Sequence, residues 1–482
     1  MNLSQAVLLC GMVLTASIGR SQPDFQLNAT PVAPPAPDAA IVRAIRSIEP
    51  ARIEQTINTL VGFGTRSTLS SLLPNSEASL PPGQGINAAG DWVFAQFEQI
   101  SKECGGCLDV RRDSFTEPAG ERFPQPTPIT NVYAILRGGD PAQARRMVLV
   151  TGHYDSRSLD VLDARSPSPG ANDDASGVAV SLECARALSK LRFPATLVFV
   201  AVAGEEQGLN GSSHLAKLAR SEGWQLEAVL NNDIVGGNTT PGDGLQLKDR
   251  VRVFSEGMPI AATPEQIHRI RALGEEDDSP SRELARTVAD TARAYLMAAP
   301  GRPFSAVLVF RPDRYLRGGD HLSFNREGFA AVRFTEWRED FNHQHQNVVR
   351  PPAGSIEPTL GDLPEFVDFN YVANVARLNA ATMAALASSP GEPMKVTMLT
   401  DKLENGATLK WEPPEGAKVD HYEIVWRETS APDWQFVQIV KADAKDDSAP
   451  AIKFTVPISK DNVVFGVRAV DAAGHRSLTV VP

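Results

Sequence analysis

Cysteines are few in this 482-residue sequence, and long apolar runs and basic clusters are scarce. The last two scarcities each argue against a class of protein. Beyond the first twenty residues, no stretch approaches the ~20 consecutive apolar residues that span a bilayer. Acidic residues outnumber basic ones by 58 to 47, and no lysine- or arginine-rich run could follow a phosphate backbone. We therefore expect neither a membrane-embedded protein nor a nucleic-acid partner.

The N-terminus has the composition of an export signal. A short apolar stretch is followed by small residues, which is typical of a secretory signal peptide over residues 1–21. We expect its removal, a secreted or periplasmic mature chain, and no stable membrane insertion afterwards. Residues 22–38 are rich in proline and alanine, which predicts an extended linker rather than packed structure.

Only four cysteines are present, and the first, Cys10, lies in the predicted signal. Cys104 and Cys107 form a CxxC pair, which is compatible with a local disulfide, a redox pair or half of a metal site. Export to an oxidising compartment favours the disulfide. Cys184 lies in an amphipathic helical pattern, which predicts a small buried hydrophobe.

From residue 39 onward, helical patterns alternate with short β-branched runs. This alternation predicts an α/β domain over residues 39–387, with a mostly parallel mixed sheet flanked by helices. Helices are predicted from Ala175 to Lys190 and from Val367 to Leu386. The predicted strands are Asn131 to Leu136, Met147 to Thr151, Thr196 to Val202, Ala228 to Asn231, Ala306 to Phe310 and Ala331 to Phe334.

The last part of the chain has a different pattern. After a linker at residues 388–393, short alternating runs separated by turn residues predict a small all-β sandwich over residues 394–482. This part resembles a fibronectin type III module, with Trp411 at the position of that family's core tryptophan. Phe465 stands where the family usually has tyrosine. The sequence does not identify a ligand for this domain.

Acids and histidines recur where the predicted strands end. His153 and Asp155 follow one strand, Asp173 and Asp174 open a helix, and the remaining members are Glu205, Glu206, Asp233, His343 and His345. Each alone fits a hydrogen-bonded pair or a helix cap. Parallel strands, however, bring their carboxyl ends to one edge of a sheet. Carboxylates gathered there repel one another unless cations lie between them, so the series predicts a metal site.

The number of ligands indicates how many metal ions are held. Two histidines with three carboxylates, one of which bridges, satisfy two zinc ions and leave positions for water and substrate. Both His343 and His345 are available for the last position, and His345 is preferred.

The segments HYD, GANDDASG, GEE, NND and HQHQ occur in the order and approximate spacing of di-zinc aminopeptidases of the bacterial leucyl aminopeptidase type. The resemblance covers residues 39–387 and implies the phosphorylase/hydrolase-like fold of zinc exopeptidases. It also implies a cis peptide between Asp173 and Asp174. The ligands that it implies are Asp173 between both Zn²⁺ ions, His153 and Asp233 on one ion, and Glu206 and His345 on the other.

The same resemblance implies the chemistry. Glu205 is expected to be the general base for a zinc-activated water, and Asp155 to orient His153. The expected activity is that of an exported metallo-aminopeptidase acting on peptides. A carboxypeptidase, a glutaminyl-cyclase-like acyl transferase and a non-catalytic binding protein remain alternatives on the same scaffold.

Two further segments have open roles. Gly319-Asp320-His321 resembles the family's Ser-Asp-His segment, with glycine in place of serine. His321 is predicted either to line the substrate pocket or to pack in the core. Residues 236–279 are predicted to be an insertion, either roofing the site or forming a solvated surface excursion.

Overall fold

The computed structural model describes residues 23–26, 29–74, 80–297, 303–443 and 451–482. The predicted signal peptide and Cys10 lie outside the described residues. The strands are β1 (Thr30–Pro31), β2 (Leu108–Glu117), β3 (Thr127–Leu136), β4 (Arg146–His153), β5 (Thr196–Val202), β6 (Gln225–Asn232), β7 (Arg250–Ser255), β8 (Ser305–Val309), β9 (Ala331–Thr335), β10 (Met394–Met398), β11 (Ala407–Glu412), β12 (His421–Glu428), β13 (Phe436–Lys441), β14 (Ile452–Val456) and β15 (Val463–Val470).

The helices are α1 (Ala39–Arg46), α2 (Pro50–Val61), α3 (Gly85–Glu103), α4 (Ala175–Leu188), α5 (Glu205–Gly208), α6 (Asn210–Ser221), α7 (Pro264–Leu273), α8 (Pro280–Tyr295), α9 (His321–Arg326) and α10 (Phe369–Ser388). Short 3₁₀ turns cover Asp24–Gln26, Thr68–Leu72 and Pro364–Phe366. In the described part of the chain, no helix combines the length and the apolar character needed to cross a bilayer.

An eight-stranded mixed sheet forms the centre of the larger domain, in the order β2-β3-β5-β4-β6-β9-β7-β8. The four strands β5, β4, β6 and β9 run parallel to one another. β3 is antiparallel to β5, the edge strand β2 is antiparallel to β3, and β7 is antiparallel to β9. The prediction of a mostly parallel mixed sheet flanked by helices is confirmed.

Helices cover both faces of this sheet. Alternate residues of a strand face opposite sides, so Val148 and Val150 of β4 enter the core that includes α4 and α10. Leu149 between them packs instead with Leu215 and Ala219 of α6. Because both faces are buried, the central strands read as continuous apolar runs, which is why they can be recognised in the sequence.

The predicted elements are present with bounds that differ by a few residues. All six predicted strands occur, and the two predicted helices are α4 and α10. Cys104 and Cys107 form the expected disulfide after α3. Cys184 is a free, fully buried cysteine in α4, as predicted.

The prediction of an insertion over residues 236–279 is wrong in part. Arg250–Ser255 is strand β7, which pairs with β9 and β8 inside the main sheet. Val251 and Val253 are fully buried, but the neighbouring Arg250 and Arg252 make the run look like a surface segment. Helix α7 fits a solvated excursion, since none of its residues is buried.

The C-terminal domain consists of two antiparallel sheets, with strand orders β1-β13-β12-β15 and β10-β11-β14. Their facing side chains share one core, in which Trp411 and Ile452 of one sheet meet Tyr422, Ile424 and Phe465 of the other. The predicted small β-sandwich is therefore present.

The prediction of an unpacked linker over residues 22–38 is wrong at Phe25 and at Thr30–Pro31, which contact the sandwich. Thr30 and Pro31 pair with Val437 and Phe436 at the edge of the sandwich. The indole of Trp426 donates a hydrogen bond of 2.9 Å to the carbonyl of Phe25. Proline is tolerated here because an edge strand needs no donor on its outer side.

The two domains are joined by buried polar contacts. The indole of Trp434 donates to Glu283 Oε2 at 2.8 Å, and Arg286 Nε donates to the carbonyl of Pro432 at 2.7 Å. Asp278 forms ion pairs with Arg286 of α8 and with Arg427 of the sandwich. These groups are nearly inaccessible to water, so the sandwich is docked firmly on α8.

Candidate metal centre

The predicted ligands meet at the carboxyl edge of the central sheet. His153 ends β4, Asp173 precedes α4, Glu206 follows β5, and Asp233 follows β6. His345 comes from the loop after β9. Parallel strands with a common direction place the loops after them side by side, so residues distant in sequence become neighbours.

The first group of ligand atoms contains His153, Asp173 and Asp233, all of them buried. His153 Nε2 lies 3.1 Å from Asp173 Oδ1 and 4.0 Å from Asp233 Oδ1. The three ligand atoms lie within 4.8 Å of one another, the spacing of donors around one cation.

The second group contains Asp173, Glu206 and His345. His345 Nε2 lies 2.9 Å from Asp173 Oδ2 and 3.1 Å from Glu206 Oε2. Asp173 thus faces the first group with one carboxylate oxygen and the second group with the other. This is the arrangement of a bridging carboxylate.

The donor atoms suit metal ions better than they suit each other. Among the described residues, His153 Nε2 is buried without a hydrogen-bond partner, although Asp173 Oδ1 is only 3.1 Å away, and Glu206 Oε1 is likewise buried without one. Buried polar atoms are normally satisfied. Imidazole nitrogen with carboxylate oxygen is a donor set that zinc accepts.

The electrostatics of the cluster favour positive charge. Burial, reinforced by the carboxylates of Asp233 and Glu206, raises the pKa of Glu205 well above its ordinary value. Burial lowers the pKa of His345, but Glu206 and Asp173 outweigh it and raise that pKa to about 10. The cluster therefore attracts either protons or metal cations.

Asp155 holds both the histidine and the turn that carries the two glutamates. His153 Nδ1 lies 3.4 Å from Asp155 Oδ1 and 3.2 Å from the Asp155 carbonyl oxygen. The same carboxylate accepts the backbone N–H groups of Glu205 at 3.3 Å and Glu206 at 3.2 Å. Its side chain thus connects the end of β4 to the start of α5.

The loop that carries Asp173 is fixed from two sides. Asp362 accepts the backbone N–H groups of Asn172 at 2.8 Å and Asp173 at 2.7 Å. The peptide between Asp173 and Asp174 is cis, as the resemblance implies. Asp174 accepts from the His153 backbone N–H at 2.9 Å and caps α4 through Gly177.

Other histidines lie outside the two ligand groups. The ring of His343 stacks on Phe366 with centroids 3.5 Å apart, and its Nδ1 contacts Thr240. The structure therefore favours His345 over His343 as the ligand. His321 is fully buried with Nε2 2.7 Å from the Pro312 carbonyl, so it has the core role. His214, His268, His421 and His475 are also absent from both groups.

Sequence reasoning missed Arg333, whose guanidinium touches a predicted ligand. Arg333 Nη2 lies 2.9 Å from Asp233 Oδ1, and Nη1 lies 3.4 Å from Asp313 Oδ2. The side chain is fully buried. A signal was present, because arginine stands in the middle of an otherwise apolar strand, where it needs buried partners.

A cleft of about 280 Å³ opens in front of the ligands. Glu205 lines it together with the ligands Asp173, Glu206, Asp233 and His345. Four arginines that sequence reasoning missed also line it: Arg122, Arg157, Arg314 and Arg317. They come from irregular loops, where no periodic pattern predicts the direction of a side chain.

Comparisons with known proteins agree with a metallopeptidase site. Residues 131–256 match the model of peptidase family M28. A "Probable zinc metalloprotease" of Pyricularia oryzae is 42% identical over 455 residues, which cover 92% of this chain and 85% of that relative. A second, from Leptosphaeria maculans, is 40% identical over 449 residues, covering 93% and 98%. Among solved structures, LapB from Legionella pneumophila aligns with a TM-score of 0.49 and 19% identity, covering 74% of this chain and 78% of that one.

Proposed function

Because this chain belongs to peptidase family M28 and is a zinc metallopeptidase, we propose that it is an exported aminopeptidase that holds two zinc ions and removes N-terminal residues from peptides. The observation that carries the proposal is the sharing of Asp173 by two groups of ligand atoms. A single-ion site would not need a second imidazole and carboxylate on the far oxygen of Asp173.

The residues fit two zinc ions. His153, Asp173 and Asp233 would hold one ion, and Asp173, Glu206 and His345 the other. Three protein ligands leave a position for water or substrate, as in catalytic zinc sites. Bound zinc supplies Lewis acidity to the attacking water and to the scissile carbonyl.

Glu205 is the proposed general base. It belongs to neither ligand group, yet it lines the cleft beside the ligand Glu206. Its carboxylate accepts the proton of the attacking water and delivers a proton to the leaving amine. Asp155 keeps Glu205 in place by accepting its backbone N–H.

Export and the nature of the small domain belong to the same proposal. The Cys104–Cys107 disulfide supports an oxidising compartment, since cytosolic thiols are kept reduced. The fully buried Trp411 and the two-sheet core support a fibronectin type III-like module. Peptides are the proposed substrates of the large domain.

The test is hydrolysis of a panel of aminoacyl nitroanilides by the purified mature protein, with zinc content measured in parallel. Activity should disappear on chelation, when zinc is lost, and return when two zinc ions per chain are restored. Absence of turnover on every free-amine substrate by a zinc-loaded protein would contradict the proposal. Cleavage of N-blocked peptides instead would indicate a carboxypeptidase, and cyclisation of N-terminal glutamine an acyl transferase.

A further inference from the structure

The cleft in front of the metal ligands brings four arginines next to the proposed ligands and base. The chain carries a formal charge of −11, yet Arg122, Arg157, Arg314 and Arg317 all line this one cleft. They come from the loops after β2, β4 and β8. Side chains from three separate loops converge there.

Two of these arginines share one carboxylate that does not line the cleft. Glu339 pairs with Arg314 at 2.8 Å and with Arg317 at 2.9 Å, and it also pairs with Arg252 at 3.1 Å. One carboxylate therefore serves three guanidinium groups. Of the acids that line the cleft, all are proposed metal ligands or the proposed base.

Arg122 and Arg157 contact backbone carbonyls instead. Arg122 Nη1 donates to the carbonyl of Glu206 at 3.1 Å. Arg157 donates to the carbonyls of Ser158 at 3.1 Å and Leu159 at 2.8 Å. Among the described residues, neither forms an ion pair with a carboxylate. Arg122 holds the backbone of the proposed ligand Glu206, whereas Arg157 contacts only its own loop, so the charge of Arg157 is available to a substrate.

Arg317 connects the cleft wall to the bridging ligand. Its side chain is 30% exposed, and Nη1 contacts both Glu339 and Gln344 Oε1, the latter at 3.3 Å. The amide of Gln344 donates in turn to Asp173 Oδ2 at 3.1 Å. Arg314 is more buried, at 9%, and contacts Asp313, Glu339 and the Gly318 carbonyl, which assigns it to holding the loop.

We propose that this cleft selects substrates carrying a carboxylate close to the scissile bond, with Arg157 and Arg317 as the residues that bind it. A guanidinium matches a carboxylate in shape as well as charge. The carboxylate has two possible sources, the side chain of an acidic N-terminal residue or the free C-terminus of a very short peptide. The inference rests on the proposed peptidase function and adds its substrate class.

The first arm of the test compares glutamyl with glutaminyl nitroanilide on the zinc-loaded protein. We expect kcat/KM for the glutamyl substrate to be about tenfold higher or more, with the preference decreasing as salt is added. In R157Q/R317Q that ratio should approach one. The control variant R192Q changes an exposed arginine after α4 and should keep the ratio unchanged.

The second arm compares a dipeptide with its C-terminal amide on the same proteins. A preference for the free acid that is lost in R157Q/R317Q would identify the C-terminal carboxylate as the group recognised. No preference for a carboxylate in either arm, with good turnover of neutral substrates, would overturn the inference and leave the aminopeptidase proposal intact.

Calorimetric titration separates the inference from the peptidase activity. Glutarate and its monoamide glutaramate each offer one carboxylate to zinc, and only glutarate offers a second to the arginines. We expect glutarate to bind about tenfold more tightly, with the difference lost in R157Q/R317Q. Equal affinities would overturn the inference whether or not any peptide is cleaved.

Discussion

Two adjacent glutamates at the start of α5 have different surroundings. Glu206 faces His345 and Asp173, whereas Glu205 belongs to neither ligand group and lines the cleft. A helical turn separates the directions of neighbouring side chains, so one can hold a metal while the next faces the substrate. The resemblance predicts different roles for the two glutamates, and the structure gives them different surroundings.

Replacement of these two glutamates tests that difference. E205Q should keep both zinc ions and lose turnover by about 10²-fold or more, because a positioned base is removed. E206Q should lose zinc from one position, because a ligand is removed. Zinc content and kcat measured on both variants check this. An active, zinc-loaded E205Q would end the assignment of the base.

Gly319 illustrates a departure from the resembled family that the structure explains. A side chain at this position would bring its Cβ within 2.6 Å of Arg333 Nη1. That guanidinium is fixed by Asp233 and by the Gly318 carbonyl at 2.7 Å. The serine of the resembled family's Ser-Asp-His segment would collide with it, so glycine at 319 and arginine at 333 belong together.

G319A should therefore lower the free energy of unfolding by about 1–3 kcal/mol, because a buried guanidinium is displaced from its partners. Thermal unfolding measures the effect. Gly244 is the matched control, since a Cβ there meets nothing within 4 Å and its backbone does not require glycine. Equal melting temperatures for G319A and G244A would contradict this account of Arg333.

At the scale of elements, the sequence predicted the central strands, whose residues are mostly buried, and missed β2 and β7, which carry several charged residues. β4, β5 and β6 are continuous apolar runs, and all three were recognised. β2 alternates charged and apolar residues at the sheet edge, and β7 carries two arginines. The ligand loops were predictable because they follow recognised strands. The arginines of the cleft were not predicted, because they lie in irregular loops, where no periodic pattern indicates the direction of a side chain.

The missed strand β7 leads into a buried carboxyl. Glu256 directly follows it, and Glu256 Oε2 accepts the backbone N–H of Ile260 at 2.9 Å. Burial raises the pKa of Glu256 to about 7. The folded protein therefore binds a proton that the unfolded chain has already released between pH 4.5 and 7.

Because the pKa of Glu256 is higher in the folded protein than in the unfolded chain, ionisation of Glu256 destabilises the folded protein as pH rises. The free energy of unfolding should fall through that window by up to about 3 kcal/mol on account of this group, and E256Q should remove that part of the decrease. Urea unfolding of both proteins from pH 4 to 8 measures it as a difference, which cancels other titrating groups. E265Q, on exposed α7, is the control and should follow the parent protein.

At the scale of the whole molecule, the order of domains was predictable and their attachment was not. The change from helical to alternating patterns near residue 390 indicates a second domain, as the structure has it. Sequence patterns do not say that two domains share a buried interface. The contacts of Asp278 with Arg427 and of Glu283 with Trp434 join residues about 150 positions apart, and no local pattern indicates such pairing.

Asp278 is the residue through which that attachment can be tested. It is buried between Arg286 and Arg427, so D278N leaves two guanidinium groups short of a partner and should cost about 3–5 kcal/mol. D277N is the matched control, because the neighbouring Asp277 side chain is 58% exposed. Calorimetric unfolding of the two variants checks the prediction, and indistinguishable curves would contradict it.

The short strand β1 pairs with β13 and so places residues 30–31 in the C-terminal domain. Thr30 pairs with Val437, roughly 400 positions away, and closing so long a loop costs entropy that grows with the logarithm of its length. During synthesis, Thr30 emerges from the ribosome long before its partner exists. The large sheet can form before β1 pairs with β13. We therefore expect this contact to form late, so that only the complete chain reaches the native state.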